Sequence, residues 1–248
     1  MSKRWYQENR RDPWRRQARS KGYRARSAYK LKHIQERFSL LRSGDVVLDV
    51  GCHPGGWTQV ACEEVGEGGL VIGVDLLATA PVEGASMIIG DITEEATIEQ
   101  ITEALGGRSI NAVISDISPR LTGRYDTDQT ISLELSTMVL DVAMKVLQPG
   151  GTFITKAFQG TGIEGLVEAA KDRFSNVQRF SPTASRNSSS ETFLICRNKL
   201  PRVRNRGSGL TAMEQVSQHL GGLGVLTEEE EEGEIAVGLR RISRKEEE

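Results

Sequence analysis

The sequence is poor in the residues that build disulfide frameworks, metal centres and membrane spans. Its 248 residues include three cysteines and three histidines. Cys52, Cys62 and Cys196 are odd in number and lack metal-type spacing, which predicts free thiols in a reducing cytoplasm and no bound metal. No apolar run approaches the roughly 20 residues of a membrane span. No apolar core follows the basic N-terminus, so we expect neither a secretory signal nor membrane association.

The formal net charge is only −2, but the positive and negative residues are strongly segregated along the chain. Residues 1–37 hold thirteen Lys or Arg against three Asp or Glu, a net charge of +10. Residues 201–248 carry a net charge of −3, so residues 38–200 carry −9. A basic segment beside an acidic body predicts contact with the phosphates of a nucleic acid. We therefore interpret residues 1–26 as an RNA-binding arm, although a solvated or targeting tail is the alternative.

Aromatic residues make up 5% of the chain, yet several lie inside the basic arm. A merely soluble tail has little use for such residues, whereas they can stack on bases or sugars. The aromatic residues of the arm are Trp5, Tyr6, Trp14 and Tyr23.

The stretch from Val46 to Trp57 organises the rest of the chain. Its β-branched apolar start predicts a buried parallel strand, and a glycine-rich turn and a helix follow. Glycines allow positive φ angles and close approach of the backbone to a ligand. The spacing from Gly51 to Gly55 is not the dinucleotide pattern, so a ligand without pyrophosphate, such as S-adenosylmethionine, suits the turn better. A purely structural turn is the alternative.

Beyond this stretch, short apolar strands alternate with amphipathic helices. Further strands are predicted at residues 70–74, 87–89, 112–115, 152–155, 177–180 and 192–196. Helical spacing is predicted around residues 98–105, 135–146 and 166–170. The alternation predicts an α/β fold, a doubly wound and mostly parallel sheet, in one domain over residues 27–198.

A helix between the arm and the first strand is also predicted. Leu31, Ile34, Phe38 and Leu41 recur at helical spacing, and Ser27 is a suitable N-cap. We expect this helix to dock on the core and to hold the basic arm there.

Polar residues follow the ends of several predicted strands, where an open α/β sheet binds its ligands. Asp75 ends the second strand and is placed to accept hydrogen bonds from both ribose hydroxyls of a nucleoside. Asp91 is placed to reach the exocyclic amine of adenine. Any one of these acids alone is more simply a helix cap or loop acid. The set at this edge comprises Asp49, Asp75, Asp91, Asp116 and Lys156.

Several short motifs in order make the chain resemble the FtsJ/RrmJ (RlmE) family of RNA ribose 2′-O-methyltransferases, over roughly residues 14–198. They are Arg-Ser-Ala-Tyr-Lys-Leu at 26–31, Pro-Gly-Gly-Trp at 54–57, Asp-Leu-Leu at 75–77, Gly-Asp at 90–91, Ser-Asp-Ile-Ser-Pro at 115–119, Lys-Ala-Phe-Gln-Gly at 156–160 and Ser-Ser-Glu at 189–191. This chain departs from the family pattern at Cys52-His53, where small residues are expected. We expect His53 to narrow or line the methionine end of the site.

The resemblance implies the methyltransferase sheet with an antiparallel last strand, S-adenosyl-L-methionine as donor and ribosomal RNA as partner. Its catalytic set falls on Lys30, Asp116, Lys156 and Glu191. Its donor contacts fall on Gly55, Trp57, Asp75, Asp91 and Asp116.

Methyl transfer to a hydroxyl requires loss of the hydroxyl proton. Lys156 can accept that proton only when neutral, and an unperturbed lysine has a pKa of about 10.4. Burial and the nearby charge of Lys30 would lower the pKa of Lys156. Asp116 would oppose that shift, so we assign it an orienting role, and Glu191 the positioning of Lys30 or the ribose. A surface cation or phosphate contact is the alternative for each lysine.

The sequence lacks the residues that usually accompany methylation of other acceptor groups. The fourth strand is followed by Asp116-Ile117-Ser118-Pro119 instead of the Asp/Asn-Pro-Pro-aromatic motif of amine methylation, and no cysteine nucleophile stands at Asp116 or Lys156. Three hypotheses follow: methylation of a uridine ribose in large-subunit ribosomal RNA, methylation of tRNA anticodon-loop riboses, or a non-catalytic RNA-binding assembly factor.

The chain beyond Lys199 lies outside the resemblance. Its acidic run at Glu228 to Glu232 is typical of a disordered tail, so we expect residues 199–248 to be disordered apart from a short helix near Met213 to Leu220.

Overall fold

The protein is built around one seven-stranded sheet. The structure, a computed structural model, describes residues 12–119, 121–185, 190–204 and 209–224. The strands are β1 (Val46–Val50), β2 (Leu70–Asp75), β3 (Ala85–Ile89), β4 (Ile110–Ser115), β5 (Leu147–Phe158), β6 (Phe174–Phe180) and β7 (Glu191–Lys199). Their order across the sheet is β3-β2-β1-β4-β5-β7-β6.

The sheet is mostly parallel, as the sequence predicted. Strands β1 to β5 pair in parallel, whereas β7 runs antiparallel to both β5 and β6. The strand order reverses between β1 and β4, and crevices at such a reversal bind ligands beyond the carboxyl ends of the strands. The antiparallel last strand is therefore confirmed.

Seven helices are described. They are α1 (Pro13–Ser20), α2 (Ala28–Phe38), α3 (Gly56–Val65), α4 (Glu95–Leu105), α5 (Tyr125–Val146), α6 (Ile163–Arg173) and α7 (Ala212–Gly222). None of these described helices is long and apolar enough to cross a membrane.

Helices cover both faces of the sheet, which gives two apolar clusters. In β1, Val46, Leu48 and Val50 point to the face covered by α4, α5 and α6, whereas Val47 points to the face covered by α2 and α3. Side chains alternate between the two faces of a strand, so a strand covered on both sides must be apolar at nearly every position. This explains why β1 is a continuous apolar run interrupted by Asp49.

Helix α2 docks on the core as predicted. Leu31 and Ile34 are fully buried in the cluster shared with α3. Ser27 occupies the N-cap position, but its side chain makes no capping hydrogen bond. Helix α1 in turn packs on α2, with the ring centroid of Trp14 5.2 Å from that of Tyr29. The basic arm is thus attached to the body through apolar contacts.

Two elements begin earlier than the sequence predicted. Helix α5 starts at Tyr125 rather than near residue 135, because its first turns carry polar residues that conceal the helical period. Strand β5 starts at Leu147 rather than Thr152, so it includes Pro149, and its pairing with β4 is irregular between Ile110 and Ala112.

Part of the expected disordered tail is a helix. The predicted short helix exists as α7, and it packs on α5 and α6. The carboxylate of Asp141 accepts hydrogen bonds from the backbone amides of Ala212 and Met213 at the start of α7. A helix N-terminus favours such a negative charge, which helps to explain why this segment is ordered. The acidic run lies outside the described residues.

Candidate active site

Four predicted site residues meet at the carboxyl edge of the sheet and form a chain of opposite charges. The ammonium group of Lys30 lies 2.6 Å from the Glu191 carboxylate and 3.6 Å from that of Asp116. The Lys156 ammonium lies 3.3 Å from the same Asp116 oxygen and donates a hydrogen bond to the Asp116 carbonyl at 2.9 Å. Two lysines and two carboxylates make the group neutral overall, which reduces the cost of burying it.

These residues come from four separate elements. Lys30 lies on α2, Asp116 directly follows β4, and Glu191 begins β7. Lys156 lies in β5, which continues two residues beyond it, and its carbonyl accepts a hydrogen bond from Ser136 of α5 at 2.7 Å. Because β5 and β7 are paired strands, with Phe158 opposite Glu191, the spacing of Lys156 and Glu191 is set by the sheet.

Burial controls the electrostatics of the group. Lys156 is 3% exposed, and this burial lowers its pKa from the ordinary value, against the opposing charge of Asp116 and with the help of Lys30. Burial alone would raise the pKa of Asp116, but the charges of Lys156 and Lys30 outweigh it and lower that pKa. A lysine of lowered pKa beside a firmly ionised carboxylate is suited to act as a general base with a fixed orientation.

Glu191 is held by a residue that sequence reasoning missed. One of its carboxylate oxygens binds Lys30, and the other accepts a hydrogen bond from the Ser185 hydroxyl at 2.7 Å. Ser185 belongs to a serine-rich segment in which no pattern distinguishes one serine from the next. Only the fold of the chain between β6 and β7 reveals its contact.

A second buried acid lies beside the group. Asp49 of β1 is 1% exposed; one carboxylate oxygen accepts a hydrogen bond from Thr58, and the other has no hydrogen-bond partner among the described residues. Burial, followed by the charges of Asp116 and Asp75, raises the pKa of Asp49 to about 7. The sequence predicts Asp49 at this edge of the sheet, and the resemblance gives it no role in the site.

Asp49 and Asp116 both line a small cavity of about 20 Å³. This volume is near that of a single water, so the cavity as it stands does not enclose a nucleoside. The other lining residues are Ser27, Gly51, Cys52, His53, Pro54, Gly56 and Trp57.

The two predicted nucleoside acids are placed differently. Asp75 ends β2, and its carboxylate accepts hydrogen bonds from the backbone amides of His53 at 2.9 Å and Leu77 at 2.8 Å. Asp91 lies two residues beyond β3 and accepts hydrogen bonds from the amide and hydroxyl of Thr93. Each carboxylate oxygen has a second lone pair, so both acids can still accept hydrogen bonds from a ligand.

The glycine turn is shaped largely by contacts within the protein. A Cβ at Gly51 would lie 2.9 Å from the side chain of Ile117, so this position is closed to other residues by packing. Gly55 has a φ of +105° at the N-cap of α3, where glycine is strongly preferred. These glycines therefore do not by themselves indicate a ligand, as the structural alternative held.

Trp57 and His53 take different positions at this turn. The Trp57 side chain is buried, donates a hydrogen bond to the Ser27 carbonyl at 2.9 Å and stacks on Phe193. It thus ties α3 to the start of α2, which carries Lys30. His53 is exposed, with its Nδ1 3.3 Å from the hydroxyl of Thr79. It lines the rim of the small cavity.

The two described aromatic residues of the basic arm, Trp14 and Tyr23, contact other residues of the protein. Trp14 packs on Tyr29 and His33, and the Tyr23 hydroxyl is bonded to Glu63 and Lys32. Trp5 and Tyr6 lie outside the described residues.

Comparisons with known proteins identify a family that matches most of the chain. The model of the family described as FtsJ-like methyltransferase matches residues 23–199. The chain is 48% identical over 184 residues to the ribosomal RNA large subunit methyltransferase E of Methanothrix thermoacetophila, covering 74% of this chain and 71% of that protein. With the enzyme of the same name from Alkalilimnicola ehrlichii it shares 43% identity over 196 residues, 79% of this chain and 94% of that one.

A solved structure shares the fold. It is described as a ribosomal RNA methyltransferase of Plasmodium falciparum, is 27% identical and superposes with a TM-score of 0.65. The match covers 73% of this chain and all of that one.

Proposed function

This chain belongs to the FtsJ-like methyltransferase family, and we propose that it methylates a ribose 2′-hydroxyl, that of a uridine in large-subunit ribosomal RNA, with S-adenosyl-L-methionine as donor. The observation that carries the proposal is the buried group of Lys30, Asp116, Lys156 and Glu191. Such a group supplies a proton acceptor in a fixed orientation, which a ribose hydroxyl needs because it becomes a good nucleophile only as it loses its proton.

Lys156 is the proposed general base. Its lowered pKa favours the neutral amine, which can accept the proton of the 2′-hydroxyl. Asp116 orients the Lys156 amine through its carbonyl and carboxylate. Lys30 disfavours the charged form of Lys156, and Glu191 holds Lys30 in place.

The residues at the edge of the sheet fit the donor. When bound, S-adenosyl-L-methionine supplies an electrophilic methyl group on a positively charged sulfur. Asp49 has a buried carboxylate oxygen that accepts no hydrogen bond from the described residues, and the corresponding Asp116 oxygen contacts Lys30 and Lys156 through ion pairs. Negative charge at this edge of the sheet favours the approach of a cationic ligand. We assign Asp75 to the ribose hydroxyls of the donor, Asp91 to its adenine amine, and the backbone at Gly55 and Trp57 to its remaining contacts.

Ribosomal RNA is the proposed substrate because the relatives carry that name. The basic face of α1 supports this choice. Arg15, Arg16 and Arg19 are exposed on a helix that packs against α2, the helix that carries Lys30. The proposed phosphate contacts therefore lie on a helix packed against the one that carries Lys30, within the proposed RNA-binding arm of residues 1–26.

Transfer of a labelled methyl group from the donor tests the acceptor. We expect label in large-subunit RNA from ribosomes that lack the modification, recovered as a 2′-O-methylated uridine after digestion to nucleosides. Recovery on an anticodon-loop ribose of tRNA would establish the second hypothesis. Label on a base would refute ribose methylation, and no transfer to either RNA by folded protein would favour the assembly factor.

Asp75→Ala tests the donor site. Hydrogen bonds from two ribose hydroxyls to a carboxylate contribute about 1.5–3 kcal/mol each, so we expect donor affinity to fall by at least tenfold while RNA affinity is retained. Asp45→Ala is the matched control, because Asp45 also binds a backbone amide but precedes β1 at the opposite edge of the sheet. Unchanged donor affinity of a folded Asp75→Ala protein by calorimetry would remove Asp75 from the site.

A further inference from the structure

Tyr125 is unusual because it is the only exposed aromatic residue in the described part of the chain. Its side chain is 56% exposed, whereas the described tryptophans, phenylalanines and other tyrosines are buried or partly buried. Leu121, four positions before it in the chain, is 66% exposed. Tyr125 therefore presents an aromatic ring to solvent in a stretch that carries a second exposed apolar side chain.

The ring of Tyr125 is held in place although it is exposed. Its hydroxyl donates a hydrogen bond to the carbonyl of Gln159 at 2.5 Å. The preceding turn is fixed by the Asp128 carboxylate, which accepts hydrogen bonds from the amides of Thr122 and Gly123. A ring that is already ordered loses little conformational entropy when a ligand packs on it.

Tyr125 also lies near the proposed catalytic group. Two further residues of the same helix bond to β5: Ser136 to the Lys156 carbonyl and Ser132 to the Phe158 amide. Gln159, the partner of Tyr125, is three residues beyond Lys156, so the Cα atoms of Gln159 and Lys156 are at most about 10 Å apart. The Gln159 amide in turn bonds the carbonyl of Ser190, the neighbour of Glu191.

We propose that the Tyr125 ring stacks on a base of the RNA, at or next to the nucleotide whose ribose is methylated. The proposal rests on the proposed function, since it places the RNA strand across Lys156. Proteins bind unpaired bases by stacking them on exposed aromatic rings, and every base offers a suitable face. Arm residues Trp14 and Tyr23 cannot take this role without leaving their packing contacts.

The test measures binding of the full chain to a short oligouridylate and to an abasic oligomer of the same length. Loss of a stacked base weakens binding by roughly 5- to 100-fold, so Tyr125→Ala should lose that much affinity for oligouridylate and almost none for the abasic oligomer. Tyr125→Phe and Tyr125→Trp should stay close to the original protein, because they keep a ring. Leu223→Ala is the matched control, since Leu223 has the same 56% exposure at the end of α7.

Several results would overturn the proposal. The first is that the original protein binds the two oligomers with the same affinity. The second is that Tyr125→Ala binds oligouridylate as tightly as the original protein does. The third is that Tyr125→Ala loses as much affinity for the abasic oligomer as for oligouridylate. A loss by Tyr125→Phe as large as that by Tyr125→Ala would also overturn it, because the hydrogen bond from the hydroxyl to Gln159 would then explain the effect.

Binding and methyl transfer are measured separately, so the two proposals fail separately. Ribose methylation by the original protein, together with unaltered oligouridylate binding by Tyr125→Ala, would refute the stacking alone. Base-dependent binding through Tyr125, together with no ribose methylation, would refute the proposed function alone. If both hold, Tyr125→Ala raises KM for RNA more than it lowers kcat and leaves the salt dependence of RNA binding unchanged, because stacking involves no phosphate.

Discussion

Two buried cations in this protein, Arg173 and Lys156, differ in whether the oxygens that they face accept hydrogen bonds. Arg173 at the end of α6 is 2% exposed and donates hydrogen bonds to the carbonyls of Ala169 and Leu210 and to the side chain of Gln215. Lys156 is 3% exposed, yet it faces a carboxylate oxygen of Asp116 that is only ion-paired and accepts no hydrogen bond from the described residues.

We interpret this difference as one between a structural site at Arg173 and the proposed catalytic site at Lys156. Arg173 joins α6 to the segment that leads into α7, and its hydrogen bonds tie the two together. Buried polar atoms without hydrogen bonds are costly, so their presence around Lys156 requires an explanation other than stability. Under the proposed function, a ligand or substrate completes this bonding, and we therefore expect mutations of the two cations to have opposite effects on stability and activity.

The largest effect is expected at Lys156. Lys156→Ala should reduce methyl transfer by about 10²- to 10⁴-fold, as loss of a general base does, with donor and RNA binding retained. Lys156→Arg should be equally inactive, because arginine keeps the charge but does not deprotonate. Single-turnover methyl transfer measures both, and substantial activity of Lys156→Arg would show that the residue acts only as a cation.

Lys199→Met is the control for burial of a lysine. Lys199 is buried and donates to the carbonyls of Met144 and Leu147, away from the carboxyl edge of the sheet. We expect this variant to lose stability but keep methyl transfer.

In the original protein, methyl transfer should rise with pH through the pKa of Lys156, which lies below the ordinary lysine value.

Arg173→Met should show the opposite pattern, with a large loss of stability and little loss of activity. The substitution leaves three acceptors without their donor, and we expect the free energy of unfolding to fall by about 3–5 kcal/mol. Thermal or urea unfolding measures this, with methyl transfer assayed well below the transition. Arg179→Ala is the control, because its exposed pair with Glu164 should contribute no more than about 1 kcal/mol. Equal losses from the two variants would contradict the anchoring role.

The apolar patterns predicted the sheet well, because they arise from burial on both faces. Continuous β-branched runs marked β1 and β2, and acids at the strand ends marked the ligand edge. The pairing of Lys30 with Glu191 is different, since the two residues are 161 positions apart and no periodicity relates them. The motif resemblance, rather than any local pattern, brought them together in the prediction.

The parts that were not predicted depend on tertiary contacts between polar groups. The early start of α5 is set by hydrogen bonds such as that from Tyr125 to Gln159, which compensate for a polar first turn. The ordered α7 depends on Asp141 and Arg173, which resemble ordinary charged surface residues in the sequence. The local sequence pattern predicts which apolar side chains are buried. It does not predict which distant polar group completes a hydrogen bond.

The buried carboxyl of Asp49, beside Asp116, should make the stability of the protein depend on pH. A carboxyl whose pKa is raised to about 7 by folding stabilises the fold at pH below its unfolded value, and that contribution is lost as pH rises through about 7. Compared with Asp49→Asn, the original protein should therefore lose about 3–4 kcal/mol of stability between about pH 4 and pH 8. Unfolding by urea at several pH values measures the difference. A constant difference would show that Asp49 is ionised throughout.

The smallest effect is expected from the exposed arginines of α1. Arg15 and Arg16 are exposed, whereas Arg24 and Arg26 of the same arm bond to Pro54 and Asp12 within the protein. Of these four side chains, those of Arg15 and Arg16 are available for phosphates, as is that of Arg19. We expect Arg15→Ala with Arg16→Ala to weaken RNA binding several-fold at low salt and to reduce the salt slope by about 0.7–0.9 for each phosphate that the variant no longer neutralises.

Arg26→Ala separates this effect from damage to the arm. Removing Arg26 leaves the Asp12 carboxylate, which also caps the start of α1, without its ion pair. This variant should therefore lower stability and leave the salt slope of RNA binding unchanged. Donor affinity should be unaffected by either change, because the donor residues lie on the strands and the turns that follow them. A full salt slope in the Arg15 and Arg16 double variant would show that these two side chains do not contact the phosphates, which other basic residues would then bind.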